Sequence, residues 1–185
     1  MKIEKIVIII GAVITLLSTF FFSFGQTLVI DGRTHISGLG FLFNLPQIFG
    51  DPSYWISTFP SYTSEDIMTI YILGVVFTIF IFSGVIQLVG LKNKYIGISG
   101  AILTIAFAIT ITYLISPPAI EAKRFGALLW NSQIIDGVWP LNIPVINADW
   151  YGYFNISLGT ITLYIGGGFG IAGGILGILN HLRSK

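Results

Sequence analysis

Four stretches of this chain contain no charged side chain: Ile6 to Phe24, Ile67 to Leu91, Ile96 to Ile115, and Leu158 to Leu179. Each is long enough to cross about 30 Å of hydrocarbon as a helix rising about 1.5 Å per residue. A water-soluble globule is excluded by composition, because 54% of the residues are hydrophobic and 9% are charged, against about a quarter charged in soluble domains. The expectation is an all-α integral membrane protein, a four-transmembrane-helix bundle with the lipid bilayer as its solvent.

The cations orient such a bundle, since Lys and Arg flanking the spans stay on the cytoplasmic side. Lys2, Lys5, Lys92, Lys94, Arg183 and Lys185 fall with the termini and the short middle turn, against the single acid Glu4. The other side carries Arg33, Lys123 and Arg124 against Asp31, Asp51, Glu65, Asp66, Glu121, Asp136 and Asp149. Both termini are therefore expected in the cytoplasm and two loops, 25–66 and 116–157, outside the cell membrane. The basic start, the apolar run and the small-x-small site Ser23-Phe24-Gly25 have the layout of a signal peptide. The run is longer than a usual signal core and is read as a retained helix. With no cysteine, the outer loops must be ordered by packing rather than by disulfides. The isoleucine-rich, cysteine-free composition is a pointer to an archaeal source.

The two halves, 1–91 and 92–185, match in three places, which reads as one helix–loop–helix hairpin repeated in the same orientation. Lys5 to Leu16 aligns with Lys94 to Ile105, sharing a Gly-Ala pair and a following Thr at Gly11, Ala12 and Thr15 and at Gly100, Ala101 and Thr104. In the loops, Asn44-Leu45-Pro46 ending at Asp51 answers Asn142-Ile143-Pro144 ending at Asp149. Ile81 to Ile86 answers Ile171 to Leu176. Parallel copies disfavour alternating access of the inverted-repeat kind.

Loops of this length without structure would be unusual. Asp31-Gly32 lies between Thr27 to Ile30 and Arg33 to Ile36, a hairpin signal, because both turn positions favour positive φ. Asp136-Gly137 sits similarly. A small β-containing extracellular cap built from both loops is predicted, with their Trp, Tyr and Phe as its core. The aspartates Asp31, Asp51, Asp136 and Asp149 are read as turn residues in preference to a cation site, and no metal or cofactor is expected. Two histidines, His35 and His181, do not make a haem, copper or zinc site.

The fourth span is glycine-rich. Gly166, Gly170, Gly173, Gly174 and Gly177 are spaced so that helix backbones can approach closely in lipid, either inside the bundle or between protomers. Ionisable residues inside a membrane mark ion pathways, and these spans have none. Gln87 is the large polar group within a span, and it is read as snorkelling or capping near the cytoplasmic end. The hydroxyls of Thr15, Ser18, Thr19, Ser83, Thr104, Thr110 and Thr112 are expected to bond their own helix carbonyls. Asn155-Ile156-Ser157 is a candidate external N-glycosylation sequon.

Four spans with both termini inside and two folded outer loops resemble the layout of tetraspanins and claudins. The resemblance covers the whole chain as architecture. It implies a protein that organises membranes or forms lateral assemblies, and carries over no site residues. The expected function is a non-enzymatic structural membrane protein that self-associates. An oligomeric channel or transporter component, and an accessory subunit bound to other membrane proteins, are the alternatives. Nucleic acid is not an expected partner.

Overall fold

The computed structural model describes residues 2–29, 32–51, 53–54, 67–115, 128, 130–131, 140–141, 143–147 and 154–184. Its elements run α1 (Ile3–Phe20), β1 (Gly25–Val29), β2 (Gly32–Ile36), α2 (Gly38–Gly50), α3 (Ile67–Ile81), α4 (Ser83–Val89), α5 (Lys94–Ile115), β3 (Trp130–Asn131), β4 (Pro144–Asn147), β5 (Phe154–Ser157) and α6 (Leu158–Arg183).

Among the described residues three helices, α1, α5 and α6, are long and apolar enough to cross a membrane, and α3 with α4 makes a fourth if the pair is one span bent by 45°. Helix faces are sorted as a lipid solvent demands. Along α1 the exposed positions Ile6, Ile10, Val13 and Leu17, and Phe21 just past its end, form a large apolar stripe. Of the buried ones, Gly11, Ala12, Thr15, Ser18 and Thr19 are small or hydroxylated, with Glu4 and Ile8 buried nearer the start of the helix. On α3 and α4, Met68, Ile72, Val75, Ile79, Phe82, Val85 and Val89 are likewise exposed. This stripe stays continuous through the bend. The bend itself falls at Phe82, beside a Ser-Gly pair, a recognised cause of sharp kinks.

Bending moves α3 away from α1, and α2 packs between them. A Cβ built on Gly38 would stand 2.5 Å from Thr19 O and 2.8 Å from Ile81 Cδ1, and one on Gly74 would stand 2.7 Å from Ile48 Cγ2. No room is left for side chains at either crossing. Ser37 caps α2 by accepting a hydrogen bond from Gly40 N at 3.0 Å, satisfying one of the orphan donors of a helix start. Where these elements meet the sheet, the rings of Phe24, Phe77, Phe80 and Phe107 interlock. Phe24 meets Phe107 edge-on at 5.3 Å, and Phe80 stacks on Phe107 at 5.2 Å.

The strands form one antiparallel sheet in the order β3-β2-β1-β5-β4. It draws on both loops, as the reading of a shared cap expected. Strand β1 from the first loop pairs with β5 from the second, Gln26 opposite Asn155. Strand β2 pairs with β3, His35 opposite Asn131. The β1–β2 hairpin is present where Asp31-Gly32 predicted one, with Gly32 already in β2 opposite Val29. Asp31 itself lies outside the described residues, as do Asp136-Gly137 and the side chains of all four tryptophans.

Two expectations need correction. The segment 25–66 contains a helix, α2, as well as strands. The Asn-x-Pro motif is also not one structure used twice. Asn44 and Pro46 lie within α2 and Asp51 follows its end, whereas Pro144 begins β4. The matched turn residues therefore take different conformations in the two loops. Asn142 and Asp149 lie outside the described residues.

Candidate functional site

The most concentrated polar chemistry in the bundle is at its centre. Gln87 is completely buried, facing Thr104 near the middle of α5 and Gly170 near the middle of α6. Its Nε2 donates to Thr15 Oγ1 at 3.0 Å and to Thr104 Oγ1 at 2.7 Å. Thr15 Oγ1 in turn donates to Gly11 O at 2.9 Å. Thr104 Oγ1 has Gly100 O at 3.0 Å and Ser83 Oγ at 2.9 Å within reach. One amide thus ties α1, α4 and α5 together. The reading of Gln87 as a snorkelling residue is corrected, because a 45° bend makes position along α3–α4 a poor measure of depth.

The two threonines on Gln87 are the pair aligned by the internal match, each back-bonded to the glycine that precedes it by four residues. The hydroxyl expectation holds for Thr15, Ser18, Thr19, Thr104, Thr110 and Thr112, which all reach a carbonyl four residues back. Hydroxyls that accept from a neighbour while donating to their own helix cost little to bury. Gln87 Oε1 has no hydrogen-bond partner. It lies against Gly170, where a Cβ would stand 2.6 Å away.

The glycines of α6 are divided between two neighbours. A Cβ on Gly166 would stand 2.5 Å from Thr15 Oγ1, and one on Gly173 would stand 2.8 Å from Ile8 Cγ1, both on α1. Gly174 faces Ile98 and Gly177 faces Lys94, both on α5. Gly170 reaches Ala101 of α5 besides Gln87. All five residues singled out from the sequence therefore pack inside the bundle. They no longer argue for contact between protomers. Close backbone approach supplies in lipid the attraction that water would otherwise drive.

Above and below Gln87 the α1–α6 seam stays polar. Ser18 Oγ lies 2.7 Å from Thr162 Oγ1. Thr160 Oγ1 donates to Phe24 O at 2.7 Å. At the opposite end Asn180 Nδ2 donates to Glu4 Oε2 at 3.1 Å, and Lys94 Nζ donates to Gly177 O. Glu4 and Lys94 thus lie at the end where α1 begins and α6 ends.

On α2, Asn44 Nδ2 donates to Leu128 O at 2.9 Å, joining that helix to the second loop. Ser53 Oγ donates to Asp51 Oδ1, which is local turn chemistry. Asn155 lies on an interior strand, and its Oδ1 is shielded from solvent. Ser157 is buried too. The sequon is a poor acceptor in the folded chain. Among the described residues no three His, Cys, Asp or Glu side chains converge as a metal site would require. The neutral groups at the centre can hold helices in register by hydrogen bonding.

Comparison with protein-family models, with curated proteins and with solved structures returns no match.

Proposed function

We propose that the chain is a non-enzymatic structural protein of the cell membrane. It crosses the bilayer four times with its termini in the cytoplasm, holds a folded sheet at the outer surface, and organises its neighbours there. The supporting observation is the pairing of β1 with β5, which joins segments from opposite ends of the chain. Strand β5 then passes into α6 with no intervening residue, Ser157 ending one and Leu158 beginning the other. A sheet fixed this firmly to its spans is a rigid platform, whereas connectors need only reach.

The interior supports the same reading. Around Gln87 its polar groups are neutral and are paired with one another across helix contacts. Association with further copies or with other membrane proteins is assigned to the sheet and the lipid-facing flanks, because Gly166, Gly170, Gly173, Gly174 and Gly177 of α6 are taken up by contacts with α1 and α5. Cross-linking in native membranes, followed by extraction into polymer discs and mass measurement, tests this. The expected result is assemblies larger than one chain. Single-chain particles alone, with and without cross-linker, would contradict it.

A further inference from the structure

The edge strand β4 and the residues leading into it are unusually apolar for a surface. Leu141, Ile143, Val145 and Ile146 are 46%, 41%, 51% and 48% exposed, and no charge occurs between residues 140 and 147. Exposed apolar edge strands invite pairing with other chains unless something covers them. The placement of this one says what covers it. Leu141 N donates to Phe21 O at 2.8 Å, and Ser23 N donates to Leu141 O at 3.0 Å, so Leu141 continues the exposed apolar stripe that runs along α1 and ends at Phe21, just past the helix. Leu158 N, at the first turn of α6, donates to Ile143 O at 2.8 Å.

Depth agrees with this continuity. Between Lys5 and the end of α1, the uncharged helix Ile6 to Phe20 covers about 22 Å at about 1.5 Å per residue. Hydrocarbon is about 30 Å thick, which leaves about 8 Å to be lined by Phe21, Leu141 and the apolar residues of β4. Backbone satisfaction fits the same boundary. Leu141 has both its backbone groups bonded, as hydrocarbon requires, while an open strand edge such as that of β4 is tolerated only where water or headgroups can reach it.

We propose that Leu141, Ile143, Val145 and Ile146 form a membrane-interface anchor, with Leu141 in the hydrocarbon and β4 at the headgroup boundary of the sheet-bearing leaflet, its covering partner being lipid. The sheet is then seated in the membrane surface and fixed in tilt, rather than raised above it on flexible stalks. This rests on the reading of the helices as membrane-spanning.

The absence of cysteine from the chain makes the test direct. Single variants Leu141→Cys, Val145→Cys, Val13→Cys and Ser184→Cys are spin-labelled in vesicles of phosphatidylcholine with phosphatidylglycerol, and collisions with oxygen and with a water-soluble nickel chelate are compared. The expected order of oxygen preference is Val13, then Leu141, then Val145, with Ser184 at the aqueous extreme. If 141 and 145 match Ser184, or if both are shielded from both reagents as in a protein contact, the anchor is overturned. If Val13 also reads as aqueous, the spanning assignment beneath it falls as well.

Discussion

Gly168 and Gly170 lie two positions apart on one helix and answer opposite questions. Nothing stands within 4 Å of a Cβ placed on Gly168, whereas one on Gly170 meets Gln87 Oε1 at 2.6 Å and Ala101 Cβ at 2.7 Å. Gly168→Ala is expected to stabilise the fold by up to about 1 kcal/mol through helix propensity. Gly170→Ala is expected to cost about 1–3 kcal/mol through overpacking. Reversible unfolding in bicelles checks both. Gln87→Leu removes two hydrogen bonds but leaves Thr15 and Thr104 bonded to their own helices. At the average of about 0.6 kcal/mol for a hydrogen bond between membrane helices, the loss should be about 1 kcal/mol. A loss several times larger would mean that Gln87 does more than cross-link helices. The glycines were legible as packing residues from their spacing alone. Spacing could not say which neighbour they face, and the buried position of Gln87 could not be read from its distance to the end of a span.

Among the elements, the bent pair α3–α4 determines the asymmetry of the molecule. Straightening it should remove the gap that α2 fills. In the double variant Ser83→Ala, Gly84→Ala, a Cβ at 84 would stand 2.9 Å from Leu16 Cγ, and Thr104 Oγ1 loses its contact with Ser83. The expected outcome is a reduced bend, read as an increased label-to-label distance between Met68→Cys and Phe43→Cys by pulsed electron resonance. An unchanged distance would place the cause of the kink elsewhere. The four apolar runs were legible because a lipid solvent imposes long uncharged segments. Helix α2 was not, since Gly38, Gly40, Pro46 and Gly50 read as turn punctuation. Its one positive signal is Ser37 ahead of an apolar run, a helix-start pattern. Pro46 is tolerated because α2 is held by packing on α3 rather than by propensity.

For the molecule as a whole, the sheet turns two hairpins into one body. The aligned Thr15 and Thr104 both meet Gln87, whereas in the loops Pro46 lies within a helix and Pro144 begins a strand. The β1–β2 hairpin was legible from Asp31-Gly32; the pairing of β1 with β5 was not, because nothing local encodes contact between strands so far apart in sequence. The platform proposed for this sheet depends on that pairing, and the pairing can be locked. Opposed residues in antiparallel strands have Cα atoms about 4.5–5.5 Å apart, within the range a disulfide accepts. Gln26→Cys and Asn155→Cys, opposite one another in β1 and β5, are introduced together with a protease site in the turn between α4 and α5. After oxidation in the membrane and cleavage, the two halves should migrate as one species on a non-reducing gel and separate on a reducing one. Halves that separate without reductant, or cross-links that join whole chains to each other instead, would contradict the shared sheet.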